Sequence, residues 1–191
     1  TQLAASACAR MGAGLVNVLS KNKGDLLRAA LPAHIIVRDD PDWFDDRVTA
    51  CLYGSGGLSG DVNIKDGVAY ILDADAIQKA PKKLNDRIAL TPHEGEFTRA
   101  FPGLKGSKLE KAKAAAGQTG AVIILKGPDT VIAHPDGRTV VNTHSSPHLA
   151  TAGSGAERSP PLDPGPNLTA PPGPRGLLPH GRRSSSRPPW T

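Results

Sequence analysis

The chain has 191 residues, 38% of them hydrophobic and 21% charged, and a formal net charge of +5. That length supports one ordinary buried core, and no apolar run approaches the roughly 18 to 20 residues that a membrane-spanning helix needs. The charge excess sits mainly in residues 156–191, where five arginines face Glu157 and Asp163 for a net +3. Residues 1–155 carry 18 basic and 16 acidic residues with no basic stripe interleaved with aromatics, so neither a nucleic-acid nor a membrane partner is indicated.

Taken in chain order, residues 1–20 are apolar but lack a basic leading region, and Arg10 interrupts them, which argues against a signal peptide. Residues 2–11 are Ala-rich and helical in composition, closing at Gly12, and residues 14–19 read as a buried strand. Residues 25–30 form a short helix stopped before Pro32. Strands follow at 34–38, 48–53 and 68–72, the last ending at Asp73 and Asp75, with a helix over 74–80. A strand at 88–91 runs into Thr91-Pro92-His93-Glu94. A helix over 108–118 ends at Gly117 and Gly120, and 121–126 is the most apolar strand of the chain. Segments 130–133 and 139–142 flank Pro135-Asp136-Gly137, a hairpin turn.

Alternating helix and strand predicts a mostly parallel sheet with covering helices. Two places depart from that pattern. Only ten residues separate Gly57 from Val68, too few for a comfortable crossover helix, so a loop is expected there. From 156 to 191, ten of 36 residues are Pro and apolar periodicity vanishes, so this stretch is expected to be a disordered tail. A polyproline interaction segment at 171–174 or 187–190 is the functional alternative. The abruptness of the change points to a shifted reading frame. Cys8 and Cys51 have no metal or redox spacing and read as buried free thiols of a reducing, cytoplasmic protein.

Three segments suit a phosphorylated ligand. Residues 149–155 are small and end in Gly153-Ser154-Gly155, which lets backbone N–H groups approach an anion. Lys126-Gly127-Pro128-Asp129-Thr130 follows a buried strand, and ligands of open α/β sheets bind off the carboxyl ends of strands. Thr91 and Glu94 are spaced as a capping box with Pro92 at the first helical position, which presents His93 in a first helical turn. Asp73 or Asp75 could polarise a hydroxyl or hold Mg²⁺ through water, and the loop 54–57 offers close backbone approach. Each has a plainer reading: a Gly/Ser turn, a turn with a solvated Lys, a packed His, and an Asp that caps the next helix.

Read together, LDADAI at 72–77, LTPHEGEF at 90–97, ILKGPDTVI at 124–132 and HLATAGSG at 148–155 resemble the ADP/ATP-dependent (S)-NAD(P)H-hydrate dehydratases, a branch of the ribokinase-like carbohydrate kinase superfamily. ARMGAGLVNV at 9–18 looks like that family's first helix–strand turn. The resemblance implies a ribokinase-like three-layer α/β sandwich over 1–155, incomplete at both ends, and a tail over 156–191. It implies ADP or ATP with Mg²⁺, and hydrated NADH or NADPH as substrate. By motif, Gly56 and His93 would contact the hydrated cofactor, while Lys126, Gly127, Pro128, Asp129, Thr130 and Gly155 would hold the nucleotide. The chain departs from the family twice. GSGGLSG at 54–60 stands where the family reads GPGLG, and Ala156 stands where GSGD places its Asp, so no catalytic residue is assigned. Losing such a general base costs on the order of 10²–10⁴ in rate, and impaired activity is expected. A small-molecule kinase of the same superfamily and a non-catalytic nucleotide-binding module remain open, as does homo-oligomer formation.

Overall fold

The computed structural model describes residues 1–58 and 60–144; the loop 149–155, Ala156 and the tail lie outside the described residues. All described elements belong to one compact unit. Helix α1 (Gln2–Arg10) leads into strand β1 (Val16–Leu19), and α2 (Gly24–Ala30) into β2 (Ile35–Arg38). These two strands pair in parallel as a sheet of their own, over a small core of Ala5, Val18, Leu31 and Ile35.

The second sheet has six strands whose spatial order matches the chain: β3 (Ala50–Tyr53), β4 (Ala69–Leu72), β5 (Ile88–Leu90), β6 (Val122–Leu125), β7 (Thr130–Ala133) and β8 (Thr139–Asn142). Strands β3 to β6 are parallel, and β7 and β8 close the edge as antiparallel hairpins. The parallel strands are joined by α3 (Asp75–Gln78), α4 (Glu94–Ala100) and α5 (Lys108–Thr119). No helix or strand is assigned to the described residues between β3 and β4, as the short spacing predicted. The mostly parallel sheet expected from the alternation is the six-stranded one, while β1 and β2 form a separate pair.

Period-two alternation sorts the six-stranded sheet into two faces. On one face, Leu72, Leu90, Ile123 and Ala133 stand in register across four strands, each at most 2% exposed. They pack under Ala76 and Ile77 of α3, Phe97 of α4, and Ala112, Ala115 and Ala116 of α5. Alanines at those spacings let α5 approach the sheet closely. On the opposite face Leu52 and Ile71, also in register, stay 40% and 45% exposed.

Helix ends explain where the chain turns. Ser107 accepts from the Glu110 N–H, and the Glu110 carboxylate accepts from the Ser107 N–H at 2.8 Å, a complete capping box for α5. Gly120 ends α5 in the left-handed conformation at φ 78°, where a side chain would press on the Leu84 carbonyl. Both cysteines are free, but Cys8 is exposed rather than buried. Cys51 is half-buried, and that burial pushes its thiol up from its ordinary value. Among the described residues no helix is long and apolar enough to cross a membrane.

Candidate functional site

The carboxyl ends of β3 to β6 deliver the loop 54–57, Asp73, Thr91-Pro92-His93 and Lys126 side by side. The strand ladder continues past the regular elements here. The Asp73 N–H donates to the Tyr53 carbonyl at 2.9 Å, Thr91 N–H to Leu72 at 3.0 Å, and Lys126 N–H to Pro92 at 2.8 Å. A parallel bridge joins His93 to Lys126.

Side chains tie the same strand ends together. Lys126 Nζ lies 2.8 Å from Asp73 Oδ1, and the Thr91 hydroxyl donates to that same oxygen at 2.9 Å. Asp73 and Lys126 are 27% and 25% exposed, so the pair is largely shielded from water yet reachable from the sheet edge. Gly54 closes against it: at φ 94° it places its backbone where a Cβ would overlap the Asp73 carbonyl oxygen, which restricts the position to glycine. After Asp73 the chain turns at Ala74, a non-glycine residue at φ 47° and ψ −122°. Such a conformation costs on the order of 1–3 kcal/mol and persists only where its surroundings over-determine it.

His93 is placed differently from the expectation. The capping box is not Thr91/Glu94 but His93/Glu96, and α4 starts at Glu94 with Pro92 outside it. Thr91 stays on the strand ladder, its N–H bound to the Leu72 carbonyl and its hydroxyl donating to Asp73, and His93 caps α4 in its place. His93 Nδ1 accepts from the N–H groups of Gly95 and Glu96 at 3.0 and 3.3 Å, and the Glu96 carboxylate accepts from the His93 N–H at 2.9 Å. An accepting Nδ1 puts the proton of the neutral ring on Nε2. The ring is 55% exposed, and Nε2 lies 3.3 Å from Glu96 Oε1.

The segment after β6 is braced from α5. Lys108 Nζ donates to the Asp129 carbonyl at 2.7 Å and to Asp129 Oδ1 at 2.9 Å, which holds the Asp129 carboxyl below its ordinary range. Thr130 Oγ1 donates to the Gly127 carbonyl at 3.0 Å, so Lys126 to Thr130 form one closed turn. Lys108 was not anticipated from the sequence. The available signal was a cation in the first turn of a helix, where the dipole favours anions and a Lys needs a partner elsewhere.

Of the residues expected in the site, His93 and Lys126 to Thr130 gather at neighbouring strand ends. Gly56 sits in the adjoining loop at φ 96°, packed on Thr1. Asp73 belongs to the cluster, whereas Asp75 only begins α3. Gly155 and Ala156 lie outside the described residues. A pocket of about 380 Å³ lies elsewhere, lined by Lys21, Lys23, Arg28 and Asp39 after β1 and β2.

A family model for NAD(P)H-hydrate dehydratase matches residues 1–156. The bifunctional NAD(P)H-hydrate repair enzyme of Moorella thermoacetica is 32% identical over 186 residues, covering 80% of this chain and 35% of the relative. The ADP-dependent (S)-NAD(P)H-hydrate dehydratase of Bacillus subtilis is 44% identical over 92 residues, covering 44% of this chain and 33% of the relative. The chain therefore spans about a third of the length of these curated relatives. Among solved structures, the ADP/ATP-dependent NAD(P)H-hydrate dehydratase of Bacillus subtilis, co-crystallised with ATP/Mg²⁺ and soaked with CoA, superposes with a TM-score of 0.64 at 29% identity. That match covers 81% of this chain and 64% of the other. A ribokinase-like superfamily protein of Enterococcus faecalis, 23% identical with a TM-score of 0.67 over 81% of this chain and 61% of its own, shares the fold.

Proposed function

Because the chain belongs to the NAD(P)H-hydrate dehydratase family, we propose that it is built for nicotinamide nucleotide repair: the ADP- or ATP-dependent dehydration of (S)-hydrated NADH and NADPH. The observation that carries this reading is the meeting of Lys126, Asp73, Thr91 and His93 at adjacent strand ends, in a chain whose family match runs from residue 1 to 156.

The chemistry replaces a poor leaving group. The ring hydroxyl attacks the terminal phosphorus of the nucleotide, its proton passes to a base, and AMP (from ADP) or ADP (from ATP) departs. The ring C–O bond, its oxygen now phosphorylated, then breaks, phosphate leaves with the electron pair, and loss of a ring proton restores the double bond. Positioning and charge neutralisation dominate such a transfer. Lys126 supplies the point charge for the phosphates, and the turn closed by Thr130 and braced by Lys108 presents Gly127, Pro128 and Asp129 to the nucleotide, with Gly155 completing its site. Gly56 and His93 contact the hydrated cofactor, the His93 Nε2–H exchanging Glu96 Oε1 for the ligand.

Asp73 is a single carboxylate beside this turn. Mg²⁺ commonly takes one or two carboxylates together with substrate phosphates, so the donor set fits an ion that arrives with the nucleotide. When bound, it neutralises phosphoryl charge.

The base is the weak point. The family's Asp is Ala156 here, and a methyl group accepts no proton, so slow or absent turnover belongs to the same reading. A cytoplasmic setting and homo-oligomer formation are part of this reading too. Incubating the purified chain with hydrated NADH, ADP and Mg²⁺, and following NADH absorbance and phosphate release, tests it. Transfer of phosphate to a stable small-molecule product would instead select a kinase, and ADP binding without turnover a nucleotide-binding module.

A further inference from the structure

We infer that Asp73 is an internal counter-ion for Lys126, one that an incoming phosphate must displace, so that in the absence of a divalent ion Asp73 lowers rather than raises the affinity for a nucleoside diphosphate. This rests on the nucleotide reading of the turn after β6. Residues 73 and 126 directly follow β4 and β6, strands that are not neighbours, and the pair reaches across the end of β5. Thr91, at that intervening strand end, donates its hydroxyl to the same carboxylate oxygen that Lys126 touches.

The Asp73 backbone is held in place, and its short side chain gives the carboxylate little reach. Its own N–H is bound to Tyr53, its carbonyl accepts from Ala76 N–H at 3.1 Å, and Gly54 packs directly on it. The lysine, by contrast, has a flexible four-carbon stem. The carboxylate is therefore the fixed member of the pair and the ammonium the movable one. Without ligand, the two charges cancel and little positive field reaches an approaching anion. When a diphosphate enters, Lys126 can swing to it while Asp73 keeps the Thr91 hydroxyl as a donor. Asp73 is thus a positioning residue acting through Lys126.

The test is equilibrium binding of ADP in EDTA, so that no divalent ion bridges the partners, to the full chain and to Asp73→Asn and Asp73→Ser, with thermal melting confirming that each variant folds. A merely structural Asp73 would weaken binding when replaced. The counter-ion role demands the opposite: ADP binds about three- to ten-fold tighter to both variants at low salt. It also demands that their affinity fall more steeply than that of the parent chain between about 0.05 and 0.3 M salt. Unchanged or weaker ADP binding in a folded variant overturns the inference alone. Failure of parent and variants alike to bind ADP overturns the nucleotide reading on which it stands.

Discussion

Lys108 Nζ lies 2.9 Å from Asp129 Oδ1, which ties the first turn of α5 to the turn after β6, 21 residues away. This relationship gives the candidate phosphate turn a rigid backing that its own residues do not provide. Replacing Lys108 by Met keeps the stem and removes the charge. The expected outcome is ADP binding weaker by about three- to ten-fold, with a stability change within about 1 kcal/mol, since exposed pairs contribute little to folding. Binding and chemical denaturation measured side by side check it; equal affinity would show that the brace is not needed.

His93 carries two separable roles, helix cap and ligand donor. His93→Ala should cost about 1 kcal/mol of stability, the usual value for a lost N-cap. His93→Asn restores a capping oxygen but offers no Nε2–H at the same place. It should recover most of the stability and none of the affinity for hydrated NADH. If Asn recovers both, His93 is a cap and nothing more.

Ala156→Asp returns the carboxylate that the family motif places after Gly155. A general base is worth about 10²–10⁴ in rate, so phosphate release from hydrated NADH should rise by that order with ADP affinity little changed. No gain would mean that position 156 is not what limits turnover.

Acid stability has a defined sign. The N–H and hydroxyl of Ser107 hold the Glu110 carboxyl low, the Lys108 ammonium does the same for Asp129, and the Arg138 N–H and side chain bring Asp136 down to about 2. Folded values below the unfolded ones mean that these contributions are complete above the unfolded values of about 3.9 to 4.3 and fade as pH falls through the folded ones. The melting temperature should accordingly lose nothing to these groups between pH 7 and about 5 and drop below about pH 4. Glu110→Gln should shrink that acid drop, and an unaltered acid limb would show that the α5 cap does not contribute to it.

The two faces of the six-stranded sheet should respond differently. Leu72 is 0% exposed and Ile71, its neighbour, 45%. Leu72→Ala should cost about 2–5 kcal/mol, whereas Ile71→Thr should stay within about 1 kcal/mol. Urea denaturation of both variants measures the contrast, and similar losses would mean that the second face is covered in solution.

Much of this molecule was legible from local patterns. The hairpin 130–142 falls where Pro135-Asp136-Gly137 demanded it, and the strands β3 to β6 where apolar runs of strand length occurred, because period and turn chemistry are properties of neighbouring residues. The motif set that carries the family likewise lies open in the sequence. Tertiary structure decided the rest. Thr91 reads as a helix cap by spacing, yet the Leu72 carbonyl and the Asp73 carboxylate of the adjacent strand claim it, and the cap moves to His93. Lys126 reads from its segment as a phosphate-binding or solvated charge, and nothing there announces Asp73, 53 positions earlier, as its partner. Such partners depend on which strands lie side by side and in what register, and no stretch of chain encodes that until the sheet has formed.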